Sequence, residues 1–199
     1  MPLQFADRLN NVETSAIREL FKLLGKPGII SFAGGFPDSA LFDVDGIRAA
    51  SNAALDQEPG AALQYGATEG YQPLREQLAA FMAAKGTQGV APEQLIVTTG
   101  SQQALDLLGK TMISPGDKVI VEGPTFLATI QCFRLYGAEV ISAPIDGDGV
   151  QVDALEKLIA EHRPKLVYLI PTFGNPSGAT LSLERRKKVL ELAVKYQTL

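Results

Sequence analysis

Hydrophobic runs alternate with amphipathic segments through the second half of the chain. Each run has the length of a strand, and apolar residues at helical spacing follow it. The predicted strands are Leu95–Thr98, Lys118–Val121, Glu139–Ser142 and Lys165–Ile170. The predicted helices after them cover about 102–112, 125–135, 152–161 and 183–195. Repeated strand–helix winding predicts an α/β fold with parallel strands and right-handed crossovers.

The chain before residue 93 has a different pattern. Spaced apolar residues predict helices over about 15–24, 45–56 and 73–84. A short extended segment covers 29–32, and glycine and proline residues interrupt regular structure after it. This part therefore does not continue the strand–helix repeat.

Composition narrows the possible functions. The chain has 199 residues, of which 46% are hydrophobic, so it can bury a substantial core. Its formal net charge is −4 and it has no basic cluster, so we expect no nucleic-acid partner. Cys132 and His162 are the only residues of their types, which excludes an intrachain disulfide, a cysteine cluster and a His-pair metal site. No apolar stretch is long enough for a bilayer and no signal peptide is evident, so we expect no membrane partner and a cytoplasmic location.

A glycine turn connects the first predicted strand to its helix. Gly100 lets the chain turn tightly, and the helix begins at Ser101 or Gln102. The free amides and the dipole at such a helix N-terminus favour a phosphate group. The pattern is neither G-x-G-x-x-G nor a Walker A loop, so no dinucleotide or nucleoside triphosphate is indicated. A plain serine N-cap is the alternative interpretation, and it stays open.

Two more loops at strand ends carry candidate ligand-binding residues. Phe126 follows the strand that ends at Val121, where its ring could stack on a flat cofactor or pack in the core. Asn175 lies in a loop after Ile170, where it could bind a ligand or serve an ordinary turn. Open α/β sheets bind ligands at the carboxyl ends of their strands. A phosphate anchor, an aromatic ring and an amide on one edge suggest a planar, phosphorylated heteroaromatic such as pyridoxal phosphate.

Four segments, in order along the chain, resemble the motifs of one enzyme family. They are Ser31-Phe-Ala-Gly-Gly-Phe-Pro-Asp38, Gln64-Tyr-Gly-Ala-Thr-Glu-Gly-Tyr-Gln-Pro-Leu-Arg75, Thr99-Gly-Ser-Gln-Gln-Ala-Leu-Asp106 and Pro171-Thr-Phe-Gly-Asn-Pro-Ser-Gly178. From about Ser15 to its last residue the chain resembles the fold-type I, class I/II aminotransferases, in particular the 2-aminoadipate aminotransferase branch. The resemblance implies a three-layer α/β/α large domain with seven strands in the order 3-2-4-5-6-7-1. The chain would supply strands 1 to 4.

The resemblance also implies which residues hold pyridoxal phosphate. Ser101 and Gln102 correspond to the phosphate loop, and Phe126 corresponds to the ring that stacks on the pyridine. Asn175 corresponds to the residue that hydrogen-bonds the cofactor's phenolic oxygen. Tyr65 corresponds to the tyrosine that reaches the phosphate bound by the neighbouring subunit, which implies a homodimer.

Substrate-pocket residues are implied in the same way. Gly35 corresponds to a backbone position that lines the pocket, and Asn175 borders it as well. Ser15 and Arg18 lie on the helix that approaches the substrate side chain in aminoadipate-type members. Arg18 as an ordinary solvated charge is the alternative. The resemblance implies no metal ligand.

The loop around Asn175 departs mildly from the family pattern. Gly174 stands where Gln is commoner and Ser177 where Thr is commoner. The resemblance further predicts cis peptide bonds at Gly123-Pro124 and Asn175-Pro176.

The residues that perform catalysis in the family are absent from this sequence. The Schiff-base lysine lies in a Ser-x-x-Lys pattern in the family, and no such pattern occurs here. The aspartate that pairs with the pyridinium nitrogen and the arginine that binds the substrate carboxylate would also follow residue 199. We therefore expect the N-terminal portion of a longer enzyme. Residues 1–50 would form an arm and a small-domain, substrate-pocket segment, and 51–199 part of the cofactor-binding large domain.

The sequence thus predicts part of an aminotransferase that moves an amino group between an α-amino acid and a 2-oxo acid. A pyridoxal-phosphate lyase of the same fold, an aminotransferase-like sensor domain of a regulator and a non-catalytic truncated protein are the alternatives.

Overall fold

A computed structural model describes residues 3–9 and 37–199. The chain divides into two compact units. The helical unit is Thr14–Thr98, and the sheet unit combines Met1–Glu13 with Thr99–Leu199. The division predicted at residue 50 stays a prediction.

Three of the sequence-predicted site residues fall on the part of the chain that is not described. Ser15, Arg18 and Gly35 lie outside the described residues, as do the helix predicted over 15–24 and the extended segment predicted over 29–32.

The described part of the helical unit consists mainly of helices. Its α-helices are α1 (Val44–Gln57), α2 (Pro59–Leu63) and α3 (Gln72–Ala84). The carboxylate of Asp43 caps α1 by accepting a hydrogen bond from the amide of Gly46 at 2.9 Å. The predictions for α1 and α3 are confirmed, whereas the short α2 was not predicted. No residue from 37 to 98 is buried.

The strand predicted at Leu95–Thr98 is not tested by the sheet, because the predicted order 3-2-4-5-6-7-1 places its partner, strand 7, outside the four strands that this chain would supply. The segment starts extended, with φ −108° and ψ 136° at Leu95, but it belongs to no sheet of the described residues. The amide of Val97 donates instead to the carbonyl of Glu69 at 2.9 Å. A strand requires a neighbouring strand for its hydrogen-bond ladder, and β-propensity alone cannot supply one.

The sheet unit contains four strands. They are β1 (Lys118–Gly123), β2 (Glu139–Asp146), β3 (Gly149–Val150) and β4 (Leu166–Tyr168), in the order β3-β2-β1-β4. Both β2 and β4 are parallel to β1, whereas β3 forms an antiparallel hairpin with β2. The predicted second, third and fourth strands are therefore β1, β2 and β4, and their predicted order 3-2-4 is confirmed.

Four helices cover the two faces of this sheet. They are α4 (Ser101–Met112), α5 (Leu127–Leu135), α6 (Val152–His162) and α7 (Leu183–Tyr196). Alternate residues of β1 point to opposite faces: Val119 and Val121 join the core cluster of α4 and α5, and Ile120 joins that of α6 and α7. The three-layer α/β/α architecture is confirmed.

The last residue of the chain lies beside β4. The carbonyl of Leu199 accepts from the amide of Val167 at 2.7 Å, and its amide donates to the carbonyl of Lys165 at 3.3 Å. This is the bonding pattern of a parallel pair. Leu199 therefore pairs in parallel with the edge of β4 that lies opposite β1.

Residues 3–9 and 37–199 contain no candidate membrane-spanning helix and no candidate group of metal ligands. None of their helices is both long and apolar enough to cross a membrane. No group of three or more His, Cys, Asp or Glu residues in them could hold a metal ion.

Candidate functional site

Two loops leave the same edge of the sheet because β1 and β4 are parallel neighbours. Val121 pairs with Tyr168 near the carboxyl ends of both strands. The chain then continues into the loop that carries Phe126 and into the loop Pro171–Leu181, which we name the Asn175 loop. Gly123-Pro124 and Asn175-Pro176 are both cis, as predicted. The sheet therefore brings together the loops of two sequence-predicted cofactor residues.

A buried carboxylate near the end of β1 is hydrogen-bonded to the residue that precedes the Asn175 loop. Glu122 is 6% exposed, and its Oε2 accepts a hydrogen bond from the amide of Ile170 at 2.9 Å. Burial raises the pKa of the Glu122 carboxyl, and the bond from Ile170 offsets part of that rise. Sequence reasoning missed Glu122, although a charged residue inside the apolar run of β1 was a visible signal.

Phe126 occupies the N-cap position of α5. Its backbone is extended, with φ −61° and ψ 117°, and its carbonyl accepts from the amide of Thr129 at 3.1 Å. The side chain is half-buried and belongs to neither core cluster of the sheet unit. The hydroxyl of the adjacent Thr125 is buried, with no hydrogen-bond partner among the described residues. A half-exposed ring next to an unused hydroxyl is compatible with a ligand site.

The N-terminus of α4 has the features of an anion site. Gly100 takes a left-handed φ of 90° at the N-cap, and Ser101 and Gln102 are exposed in the first turn. The amides of that turn have no acceptor within the helix, and the turn contains no acidic residue. Gln103 holds the entry to the helix, because its Oε1 accepts from Thr99 N at 2.6 Å and Thr99 Oγ1 at 2.9 Å. The sequence did not single out Gln103.

The Asn175 loop is closed by hydrogen bonds between its two arms. Leu181 N donates to Pro171 O at 2.9 Å, and Gly174 N donates to Ala179 O at 2.8 Å. Asn175 lies between these arms and is exposed. Its side chain is therefore presented to solvent by a loop whose base is fixed.

Gly174 suits the crowded inner side of this loop. A Cβ atom at position 174 would lie 2.7 Å from Ser177 Oγ and 3.4 Å from the carbonyl oxygen of Ala179. Such contacts are shorter than or at the limit of ordinary packing. The two departures from the family pattern also contact each other, because Ser177 Oγ donates to the carbonyl of Gly174 at 3.5 Å.

Tyr65 belongs to the helical unit and is 99% exposed. Its amide donates to Gln64 Oε1 at 2.8 Å, and its ring takes no part in a core of the described residues. The structure thus leaves the ring accessible.

Comparisons with known proteins assign the chain to a family. The model of "Aminotransferase class I and II" matches residues 29–199. The aromatic-amino-acid aminotransferase 1 of Thermococcus litoralis is 42% identical over 197 residues, which cover 96% of this chain and 47% of the relative.

Two solved structures have the same fold. The kynurenine aminotransferase of Pyrococcus horikoshii, in complex with PMP, has a TM-score of 0.90 and 39% sequence identity to this chain. The match covers 98% of this chain and 49% of the aminotransferase. The α-aminoadipate aminotransferase of Thermus thermophilus, complexed with N-(5'-phosphopyridoxyl)-L-leucine, has a TM-score of 0.85 and 39% sequence identity. This match covers 98% of this chain and 47% of the aminotransferase. The chain spans about half the length of these relatives. It belongs to the class I and II aminotransferase family.

Proposed function

We propose that the complete protein containing this chain is a pyridoxal-phosphate-dependent aminotransferase acting on an α-amino acid and a 2-oxo acid. One observation carries the proposal: β1 and β4 are parallel neighbours and deliver the Phe126 and Asn175 loops to one edge of the sheet. Family membership supports it. The activity is proposed for the complete protein because the chain spans only about half of its relatives.

The residues present fit the cofactor. The first turn of α4 offers unsatisfied amides near Ser101 and Gln102 for a phosphate. The buried hydroxyl of Thr125 has no partner among the described residues and is free to bind a polar group of the cofactor. Phe126 is exposed enough for its ring to stack on a pyridine.

Each of these residues has a binding or orienting role. Pyridoxal phosphate, when bound, supplies an electron sink for the bond that breaks at the substrate α-carbon. Ser101 and Gln102 hold its phosphate, and Phe126 fixes the plane of its ring. The amide of Asn175 donates to the phenolic oxygen and stabilises negative charge there. The lysine that transfers the α-proton in the family is not in this sequence.

The substrate pocket and the oligomer are part of the same proposal. Gly35, Ser15 and Arg18 border the substrate, with 1–50 as the arm and pocket segment. The complete protein is a cytoplasmic homodimer in which Tyr65 reaches the phosphate in the partner subunit. Its full exposure supports this role, because a ring that serves another subunit must leave its own core.

An amino-transfer assay tests the proposal. The complete protein, loaded with pyridoxal phosphate, is given 2-aminoadipate or an aromatic amino acid as donor and 2-oxoglutarate as acceptor. We expect glutamate to form, and Asn175→Ala to lower kcat/KM about a hundredfold. The control Gln131→Ala changes an exposed residue of α5 and should leave the rate unchanged. Cofactor-dependent breakdown of the donor without glutamate would favour a lyase, and absence of cofactor binding would refute the proposal.

A further inference from the structure

The position of Asn175 depends on how the base of its loop is held. The loop leaves the sheet at Pro171 and returns at Leu181, and only one backbone hydrogen bond joins those two residues directly. Two more hydrogen bonds join the arms nearer Asn175: Phe173 N donates to Thr180 Oγ1 at 3.1 Å, and Gly174 N donates to Ala179 O at 2.8 Å. A side chain that ties both arms to the following helix would fix the place of the whole loop, which these bonds within the loop do not do.

Arg186, in the first turn of α7, spans both arms of the loop. Its Nε donates to Leu181 O at 2.8 Å, and its Nη2 donates to Thr172 Oγ1 at 2.8 Å and to Pro171 O. Its own amide donates to Ser182 O at 2.9 Å, so the residue is anchored in the helix. The guanidinium is planar and rigid, so bonds made from its two ends fix the distance between the arms.

The preceding arginine on α7 supports a different segment. Arg185 forms a bidentate pair with Asp146, at 2.7 and 2.9 Å, and also donates to the carbonyls of Gly149 and Val150 at 3.2 and 3.3 Å. Its contacts are thus with the β2–β3 hairpin. Among residues 3–9 and 37–199, Arg186 forms no ion pair with a carboxylate. Its donors serve the Asn175 loop.

We infer that Arg186 is a positioning residue that sets the place of Asn175 for the cofactor, while Arg185 is only structural. The inference rests on the proposed function, because Asn175 acts on pyridoxal phosphate there. The side-chain hydrogen bonds of Arg186 go to Pro171, Thr172 and Leu181. It acts through Pro171 and Leu181, the two ends of the loop.

Four variants of the complete protein separate the possibilities. Arg186→Gln removes the positive charge and the planar guanidinium group. Arg186→Lys keeps the charge, but a single ammonium group cannot reach both arms of the loop at once. Arg185→Gln is the matched control, since it removes a comparable set of bonds from the adjacent residue of the same helix. Asn175→Ala tests the proposed function itself.

Three measurements are made on each variant. Hydrogen–deuterium exchange of the peptide covering 171–181 reports the mobility of the loop. Calorimetric titration with pyridoxal phosphate gives the cofactor Kd. The visible absorption band of the bound cofactor, recorded at saturation, reports contact with the phenolic oxygen. A general loss of stability does not shift this band.

We expect both Arg186 variants to exchange faster in the loop and to bind pyridoxal phosphate about tenfold more weakly, equivalent to one charged hydrogen bond. Their absorption band should shift in the same direction as that of Asn175→Ala, while Arg185→Gln keeps the wild-type band and Kd. The inference is overturned if Arg186→Gln matches Arg185→Gln in band and Kd, or if Arg186→Lys retains wild-type values. An unchanged Kd and band in Asn175→Ala would overturn the proposed function instead, whatever the exchange data show.

Discussion

Glu122 provides a test of how the strand β1 supports the Asn175 loop. Its buried carboxylate accepts from the Ile170 amide one residue before that loop begins. Replacing Glu122 by Ala leaves the amide without its acceptor, which costs about 1–3 kcal/mol. The lost buried methylene adds about 0.8 kcal/mol. We therefore expect Glu122→Ala to lower the free energy of unfolding by about 2–4 kcal/mol.

Glu122→Gln is the matched variant. The amide oxygen of glutamine can accept the same hydrogen bond, and the substitution removes only the ionisable group. Because burial raises the pKa of this carboxyl, its charged form is disfavoured in the fold. We expect Glu122→Gln to lie within about 0.5 kcal/mol of the wild type at pH 7, or to be slightly more stable.

Urea unfolding of the complete protein, followed by circular dichroism, measures both variants. With an m value of about 2–3 kcal/mol/M, the Ala variant should lose about 1 M in its midpoint, with m unchanged. The reasoning is refuted if the Gln variant loses as much as the Ala variant. In that case the negative charge, and not the acceptor oxygen, would hold Ile170.

The stability difference between the wild type and Glu122→Gln should change with pH in a defined direction. The folded pKa of Glu122 is above its unfolded value of about 4.3, so the folded state binds the proton more tightly. The carboxyl therefore costs stability as pH rises from about 4.3 through the folded pKa. Wild type should gain stability relative to Glu122→Gln as pH is lowered through this window, and a gap independent of pH would contradict the assignment.

Three further outcomes are expected. Phe133→Ala should lower the free energy of unfolding by about 3–5 kcal/mol in urea titrations, because the ring is 0% exposed and packs edge-to-face on Tyr168. A loss below about 1 kcal/mol would show that the core is not packed there. Asp146→Asn should destabilise at pH 7, because its hydrogen bonds from Arg185 lower the pKa of Asp146. This penalty should vanish in acid, as pH falls from about 3.9 through the lowered folded pKa, and a penalty that persists there would contradict the ion-pair origin. A purified chain of residues 1–199 should transfer no amino group in a glutamate-release assay, because it contains no Ser-x-x-Lys lysine, and any turnover would overturn this account of catalysis.

The strand–helix pattern predicted β1, β2 and β4 and the helices that cover them. The signal is clearest in β1, where Val119, Ile120 and Val121 are all buried, because burial on both faces leaves an apolar run that is visible in one sequence. The strand predicted at Leu95–Thr98 has no partner strand among the described residues, and the predicted order places it beside strand 7, which this chain would not supply. The β2–β3 hairpin was missed although Gly147-Asp148, the pair between the two strands, is a turn signal.

The candidate site was predictable only in part. Phe126 and Asn175 lie in the loops that follow β1 and β4, so their position at the sheet edge follows from topology. The hydrogen-bond partners of Glu122 and Arg186 were not predictable, because they lie 48 and up to 15 residues away in sequence. Hydrogen bonds to backbone atoms of another segment leave no pattern in a single chain.

A crystal structure of the complete protein with pyridoxal phosphate tests the central claim most directly. The account predicts the phosphate at the first turn of α4, the Phe126 ring stacked on the pyridine, and the Asn175 amide within hydrogen-bond distance of the phenolic oxygen. A cofactor bound away from the edge formed by β1 and β4, with Phe126 and Asn175 out of contact with it, would contradict the account.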